Sequence, residues 1–313
     1  MSYNKYSLKL YILYQFIFLK NNIIERLNVI KTEKEIPFKS KCFVISHSHR
    51  LNKEAFSLLM SENAPFIVSD VKEKSFLLTI TNKSSNCNDI EHFIAFSGVC
   101  ISTFIMALNI ASLGYFTWDW FGFSMRTYEV YDPIRKSKIF PFLLKMEGRK
   151  EYFEGSIKEI SENEIQNTLK YYGVLAKEKT ISTIREEYIK GILHLSLTFF
   201  NIDFYKEAFY NFYRCFENIV TNKVLQVEKL DKEVKDIEKA INKVGLENIF
   251  TKQFIKSSYL IRSNQVMHAQ KKQVNITLDD VYAIKTCLDA LLFKVFTPIL
   301  EKALRDYRGL KNT

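Results

Sequence analysis

The sequence predicts an α+β protein in two parts: a mixed α/β region over residues 1–155, then an all-α, up-and-down helical bundle over 156–313. Three observations carry that expectation. Short runs rich in β-branched and aromatic residues, bounded by polar clusters, occupy the stretch after Pro37. From about residue 155 onward apolar residues recur in steps of three and four without interruption. Finally, 9 glycines and 5 prolines stand against 26 phenylalanines and 17 tyrosines, a balance with few turns and many bulky side chains that favours helix.

In the first part, residues 7–30 show apolar positions at helical spacing. Cys42 to Ser46, Pro65 to Ser69 and Ser75 to Ile80 read as strands, with a helix over Leu51 to Met60 between the first two. A long apolar stretch follows over 90–113. After it come an aromatic segment, Tyr115 to Phe121, and two further strands over 126–131 and 138–144. His47 and His49, two apart on a strand, would share a face and could hold a metal. No carboxylate is close to them in sequence, so they are expected to be ordinary surface histidines. The region has no Gly-rich phosphate loop and no GxSxG, and its role is open: sensing or control of the second part is the expectation.

In the second part, Ser161 opens a helix ending near Gly173, and Thr180 or Ser182 opens the next, with Ile184, Tyr188, Ile192, Leu195 and Phe199 on one face. Asp203 is the expected N-cap of a third, whose stripe is Phe209, Phe212, Phe216, Ile219 and Val220. Val227, Leu230, Val234, Ile237, Ile241 and Val244 give the clearest periodicity, stopped by Gly245 where a C-cap glycine belongs. A helix over 249–268 places Phe250, Phe254, Ile261 and Val266 inward. Thr277-Leu278-Asp279-Asp280 has the form of a capping box. It opens a last helix carrying Val281, Ile284, Leu288, Leu291, Val295 and Ile299, with Pro298 expected to kink its end. Short connections make neighbouring helices antiparallel, so 180–313 reads as four or five up-and-down helices.

Apolar content of 47% supplies a sizeable core, and a net charge of +10 suits an anionic partner such as nucleic acid or a lipid surface. Five scattered cysteines without a CxxC pair argue against a disulfide framework and a structural zinc site. The apolar run from Leu10 to Leu19 is too short to span a bilayer, which favours the cytoplasm. Phe93 to Trp118 carries no charge and is long enough to cross a membrane. Its interspersed Ser97, Ser102, Thr103, Asn109 and Ser112, and the absence of a following Lys/Arg cluster, favour a helix buried in a protein core.

The candidate chemistry lies in the late, acid-free stretch between Asn248 and Leu278. It holds five basic residues, Lys252, Lys256, Arg262, Lys271 and Lys272, and the histidine His268. Phosphodiester cleavage needs a cation to neutralise phosphate and a group that moves protons near neutral pH. Arg262 and His268 are of those types. Their spacing alone is weak evidence, and the same residues would also serve as ordinary cations near a helix C-terminus.

The order of elements strengthens the site. A helical bundle with a late arginine and, five residues between, a histidine, then a polar loop and a last amphipathic helix, resembles the HEPN domain. The likeness is to the branch at the C-terminus of abortive-infection and related prokaryotic defence proteins. Ser263 fills the position after the arginine, where Asn, His or Asp is more usual, and Asn264 follows. Tyr213-Arg214-Cys215-Phe216-Glu217-Asn218 is similar to the family's helix preceding the motif helix, where an acidic residue recurs, and Asn275 to Val281 to its approach to the last helix.

The resemblance implies a metal-independent endoribonuclease, without cofactor, that works as a homodimer in antiviral defence or as a toxin. An antitoxin or a phage-derived trigger would be its regulator. It implies catalytic roles for Arg262 and His268, with Asn264 or Ser263 orienting the histidine or the substrate, and RNA contacts for Lys256, Lys271 and Lys272. Six residues along a straight helix rise about 9 Å and end about 120° from a common face, so Arg262 and His268 cannot pair on one such helix. Two copies facing each other across a two-fold axis would form a composite cleft. The alternatives are a non-catalytic RNA- or nucleotide-binding or antitoxin-type module, and a membrane-associated effector anchored by 93–118.

Overall fold

The computed structural model describes residues 38–60, 66–81, 90–118, 127–132, 137–139, 158–177, 181–197, 204–263 and 276–311. The expected helix over 7–30 lies outside them. The first part is built on an antiparallel sheet of strands β1 (Phe38–Ser46), β3 (Phe66–Lys72), β4 (Ser75–Thr81), β5 (Phe116–Trp118), β6 (Thr127–Asp132) and β7 (Ser137–Ile139). Their order is β3-β4-β1-β6-β7, with β5 on β1 as well. A separate two-stranded parallel pair joins β2 (His49–Arg50) to β8 (Lys158–Glu159).

Alternation sets the sheet's buried face. Cys42 and Val44 sit opposite Leu78 and Phe76, and Phe66 and Val68 opposite Ile80 and Leu78, all buried. Helix α1 (Ile90–Ser112) covers that face, with Phe104 meeting Phe66 and Phe76 edge-on. It is enclosed almost completely from Cys100 to Ser112. Among the described residues no helix is long and apolar enough to cross a membrane. The polar residues that set α1 apart from a membrane span have protein partners. Asn109 donates to the carbonyls of Ile105 and Phe116 and accepts the Phe116 N–H, acting as a strand neighbour for β5, while Ser112 and Thr103 bond back to Leu108 and Val99.

Six further helices follow: α2 (Glu162–Lys177), α3 (Ile181–Leu197), α4 (Tyr205–Ile219), α5 (Glu233–Val244), α6 (Lys252–Ile261) and α7 (Leu278–Lys311). A π-type turn, Val220–Leu225, extends α4 and ends at Gln226 with φ of 58°. Helix α3 packs along α4, α4 along α7, and α1 against α2, α3 and α7. One hydrophobic core therefore draws on both sides of residue 155. Two capping boxes open helices, and the one at α7 is as the sequence suggests. Ser161 and Glu164 exchange bonds at α2, and Thr277 and Asp280 do so at α7. Gly245 closes α5 in the left-handed region, φ 69°.

Several expectations need correction. Leu51 to Met60 is a run of turns ending in a short 3-10 segment, Ser57–Leu59, rather than a helix. Its buried Leu51, Ala55, Phe56 and Leu59 have a helical spacing that these turns also satisfy. Residues 226–232 are not helical, so α5 starts at Glu233, and Val227 is exposed. The N-cap position of α4 is Phe204, without a side-chain cap, and Asp203 lies outside the described residues. Helix α2 runs through Gly173 to Lys177, and Ile299, expected on the buried face of α7, is exposed. The part after 155 is not purely helical, because β8 pairs with β2.

Of the two histidines, His49 is not a surface group, while His47 is partly exposed. His49 is buried, stacked on Phe116, with Nε2 3.9 Å from Glu164 Oε1. His47 packs on Tyr115, its Nε2 2.9 Å from Thr117 Oγ1. The carboxylate missing from their sequence neighbourhood arrives through the fold, yet no group of three metal-ligating side chains occurs among the described residues.

Candidate functional site

Helix α6 begins where Thr251 accepts the Phe254 N–H through its side chain at 3.2 Å. The α-helical pattern stops at Ile261, and Arg262 and Ser263 continue in a wider, π-type turn. The helix expected over 249–268 thus changes geometry at the candidate arginine itself. Such a widening alters the angle between successive side chains, the property that made an arginine–histidine pair impossible on a regular helix.

Arg262 is half-buried and faces two other elements. Its Nη1 donates to Glu233 Oε2 at 3.4 Å, and its Nη2 lies 3.7 Å from Glu217 Oε1. The guanidinium carbon stands 6.0 Å from the centre of the Tyr213 ring, within cation–π range. Tyr213 in turn donates its hydroxyl to Glu233 Oε1 at 2.8 Å. Tyr213 and Glu217 are one helical turn apart on α4, which places them on the same face. Glu233 is the first residue of α5, where the unpaired N–H groups of a helix start favour a carboxylate.

Burial pushes the Glu217 carboxyl up and the neighbouring Glu233 adds to this. Arg262 and Arg214 pull it down, and the balance stays above the ordinary value. Burial, then the Glu233 charge and hydrogen bond, push the Tyr213 hydroxyl upward, so it remains a donor. Next to Tyr213 on α4, Arg214 lies 3.5 Å from Glu187 of α3.

The remaining sequence candidates divide. Ser263 bonds back to the Leu260 carbonyl at 3.4 Å, so its hydroxyl serves its own helix rather than Arg262. Lys256 is exposed on α6. Asn264, His268, Lys271 and Lys272 lie outside the described residues. Glu217, singled out by its place in the 213–218 segment, does meet Arg262. Glu233 was missed, because the periodicity from Val227 placed it inside a helix; its position at a helix start emerges only from the break at Gln226.

A second polar cluster, unforeseen in the sequence, sits between the two parts. Lys285 and Asp289 of α7 pair at 2.6 Å, both essentially without solvent exposure. Lys285 also donates to the Gly114 carbonyl at 2.6 Å, and Tyr188 of α3 donates to Asp289 at 2.7 Å. No family model, curated protein or solved structure matches this chain. The HEPN resemblance therefore rests on residues 213–218 and 262–281 themselves.

Proposed function

We propose that the chain is a metal-independent endoribonuclease, acting in the cytoplasm as a homodimer in antiviral defence or as a toxin, with an HEPN-like helical bundle as its catalytic part. The region before residue 155 serves sensing or control, and an antitoxin or a phage-derived trigger would act through it. In this reading His268 moves the proton as an RNA 2′-OH attacks the adjacent phosphate. Arg262 holds that phosphate and stabilises the charge of the transition state. Asn264 or Ser263 orients the histidine or the substrate, and Lys256, Lys271 and Lys272 contact the RNA backbone.

The observation that supports it most is the placing of Arg262. It leaves a helix that widens at that residue, meets the carboxylate of the preceding 213–218 segment at 3.7 Å, and lies in the acid-free stretch that also contains His268. Purified full-length protein incubated with total RNA in EDTA provides the test. Cleavage leaving 2′,3′-cyclic phosphate ends, lost on His268→Ala, is the expected result. Inert wild-type protein, or full activity after His268→Ala, refutes the reading.

A second reading has its own observation. Two carboxylates already face Arg262, as they would in a non-catalytic RNA- or nucleotide-binding or antitoxin-type module where the arginine only joins helices. RNA binding without cleavage would favour it.

A further inference from the structure

We propose that Glu233 and Tyr213 are positioning residues that aim the Arg262 guanidinium at the scissile phosphate; this rests on the ribonuclease reading. An arginine side chain carries several rotatable bonds, and fixing it costs up to about 2 kcal/mol of rotamer freedom. A site that must place it within a fraction of an ångström needs that cost met before substrate arrives. Here three groups from two elements surround it: the Tyr213 ring and Glu217 from α4, and Glu233 from α5.

The lengths of these contacts decide what they do. Charge-assisted N–H···O bonds in a fully engaged arginine–carboxylate fork are about 2.7–2.9 Å long. At Arg262 the two carboxylate distances are 3.4 and 3.7 Å. The carboxylates therefore orient the guanidinium without closing a fork on it. A guanidinium has five N–H donors, and only one of them makes a hydrogen bond to these carboxylates, so others stay available to a phosphate. Tyr213 explains why Glu233 does not close further. Its hydroxyl takes the other oxygen at 2.8 Å, which fixes the carboxylate plane.

Positioning predicts a pattern that a merely structural role would not give. Removing the Glu233 carboxylate with Glu233→Ala frees the arginine and also removes a negative charge beside the phosphate. Turnover should fall about 10- to 100-fold, the scale of a misplaced catalytic group. KM should fall rather than rise, since ground-state phosphate binding gains from the lost repulsion. Glu233→Gln keeps one acceptor oxygen for Arg262 and turns its NH2 to the Tyr213 hydroxyl, which can accept as well as donate, so it should restore kcat to within about threefold of wild type while KM stays low. Tyr213→Phe keeps the ring and loses only the bond to Glu233, and should lower kcat about threefold or more.

The experiment is steady-state cleavage of a defined RNA by the full-length protein in EDTA, with the folded fraction of each variant measured by circular dichroism at the assay temperature. Wild-type protein inert toward RNA overturns the ribonuclease reading and this role with it. Active wild-type protein with unchanged kcat in Glu233→Ala, or with no rescue by Glu233→Gln, overturns this role and leaves the ribonuclease reading standing.

Discussion

The pair Lys285–Asp289 offers a direct test of what joins the sheet region to the helices. Both side chains lie in the core, 2.6 Å apart, and each has one further hydrogen-bond partner: the Gly114 carbonyl for the ammonium and the Tyr188 hydroxyl for the carboxylate. Burial pushes the Asp289 carboxyl up and the Lys285 amine down, against their mutual attraction. Desolvation is thus the larger influence on each charge, and the pair is held by its contacts rather than favoured by its surroundings. Lys285→Met leaves a buried carboxylate without its cation and the Gly114 carbonyl without its donor. Breaking one partner of a buried pair costs about 3–5 kcal/mol.

Asp289→Asn keeps an acceptor for Tyr188 but leaves the ammonium uncompensated, and should cost a similar amount. In the double variant no buried charge remains. Its loss should come mainly from the Gly114 carbonyl, about 1–3 kcal/mol. The two single changes should then be strongly non-additive, with a coupling of at least about 2 kcal/mol. Urea unfolding followed by circular dichroism, on wild type and all three variants, measures each value. Single variants that each lose less than about 1 kcal/mol, or a double variant that loses the sum of the two, would refute the argument.

Further outcomes follow from other contacts. A Cβ on Gly191 would lie 2.6–2.9 Å from ring atoms of Phe212, which is fully buried between α3 and α4. Gly191→Ala should therefore cost about 1–3 kcal/mol by overpacking, seen as a lowered melting temperature. Burial alone would raise the Glu164 carboxyl, but the Lys158 ammonium and the Ser161 N–H and O–H hold it below its ordinary 4.5. Its stabilising contribution is present above that value and lost as pH falls through the lower folded-state value. Melts of wild type and Glu164→Gln should accordingly differ at neutral pH and converge in acid. Asn109→Leu strips the Phe116 N–H and carbonyl of their partner and should cost about 1–3 kcal/mol per buried group left unsatisfied, by the same urea assay. Lys271→Ala with Lys272→Ala should weaken RNA binding and flatten its salt dependence, measured by filter binding across salt concentrations.

The parts of the fold legible in the sequence are those where one physical requirement fixes the pattern. Alternation in β1 and β4 must match across the sheet, and the Phe209, Phe212, Phe216 and Ile219 stripe must face the core, so both were readable. Leu51, Ala55, Phe56 and Leu59 show the limit: buried residues at helical spacing can be delivered by successive turns as well. The start of α5 was misplaced for a related reason. A left-handed Gln226 ends the preceding turn, and glutamine carries no signal for that conformation as glycine would. At the candidate site, Arg262 was legible through its neighbours in sequence. Its partner Glu233 was not, since 29 positions separate them and only tertiary packing brings them together.

The same packing determines how closely Arg262 is held. Tyr213 belongs to the core and to the site at once, with its ring buried and its hydroxyl on Glu233. On α4 it lies between Phe209 and Phe216, with ring centres 6.3 and 6.0 Å away. Phe216 stacks on Phe250 at 5.3 Å, and Phe250 meets Phe254 of α6 at 5.9 Å. An unbroken series of rings therefore runs from the helix bearing Glu217 to the helix that ends at Arg262. Aromatic contacts of this kind fix lateral position more sharply than aliphatic ones, because the rings have few rotamers and preferred angles. The distance between Arg262 and Glu217 is then set by the core, and the ion pair reports that register rather than creating it. Removing a carboxylate should free the guanidinium while leaving α6 in place.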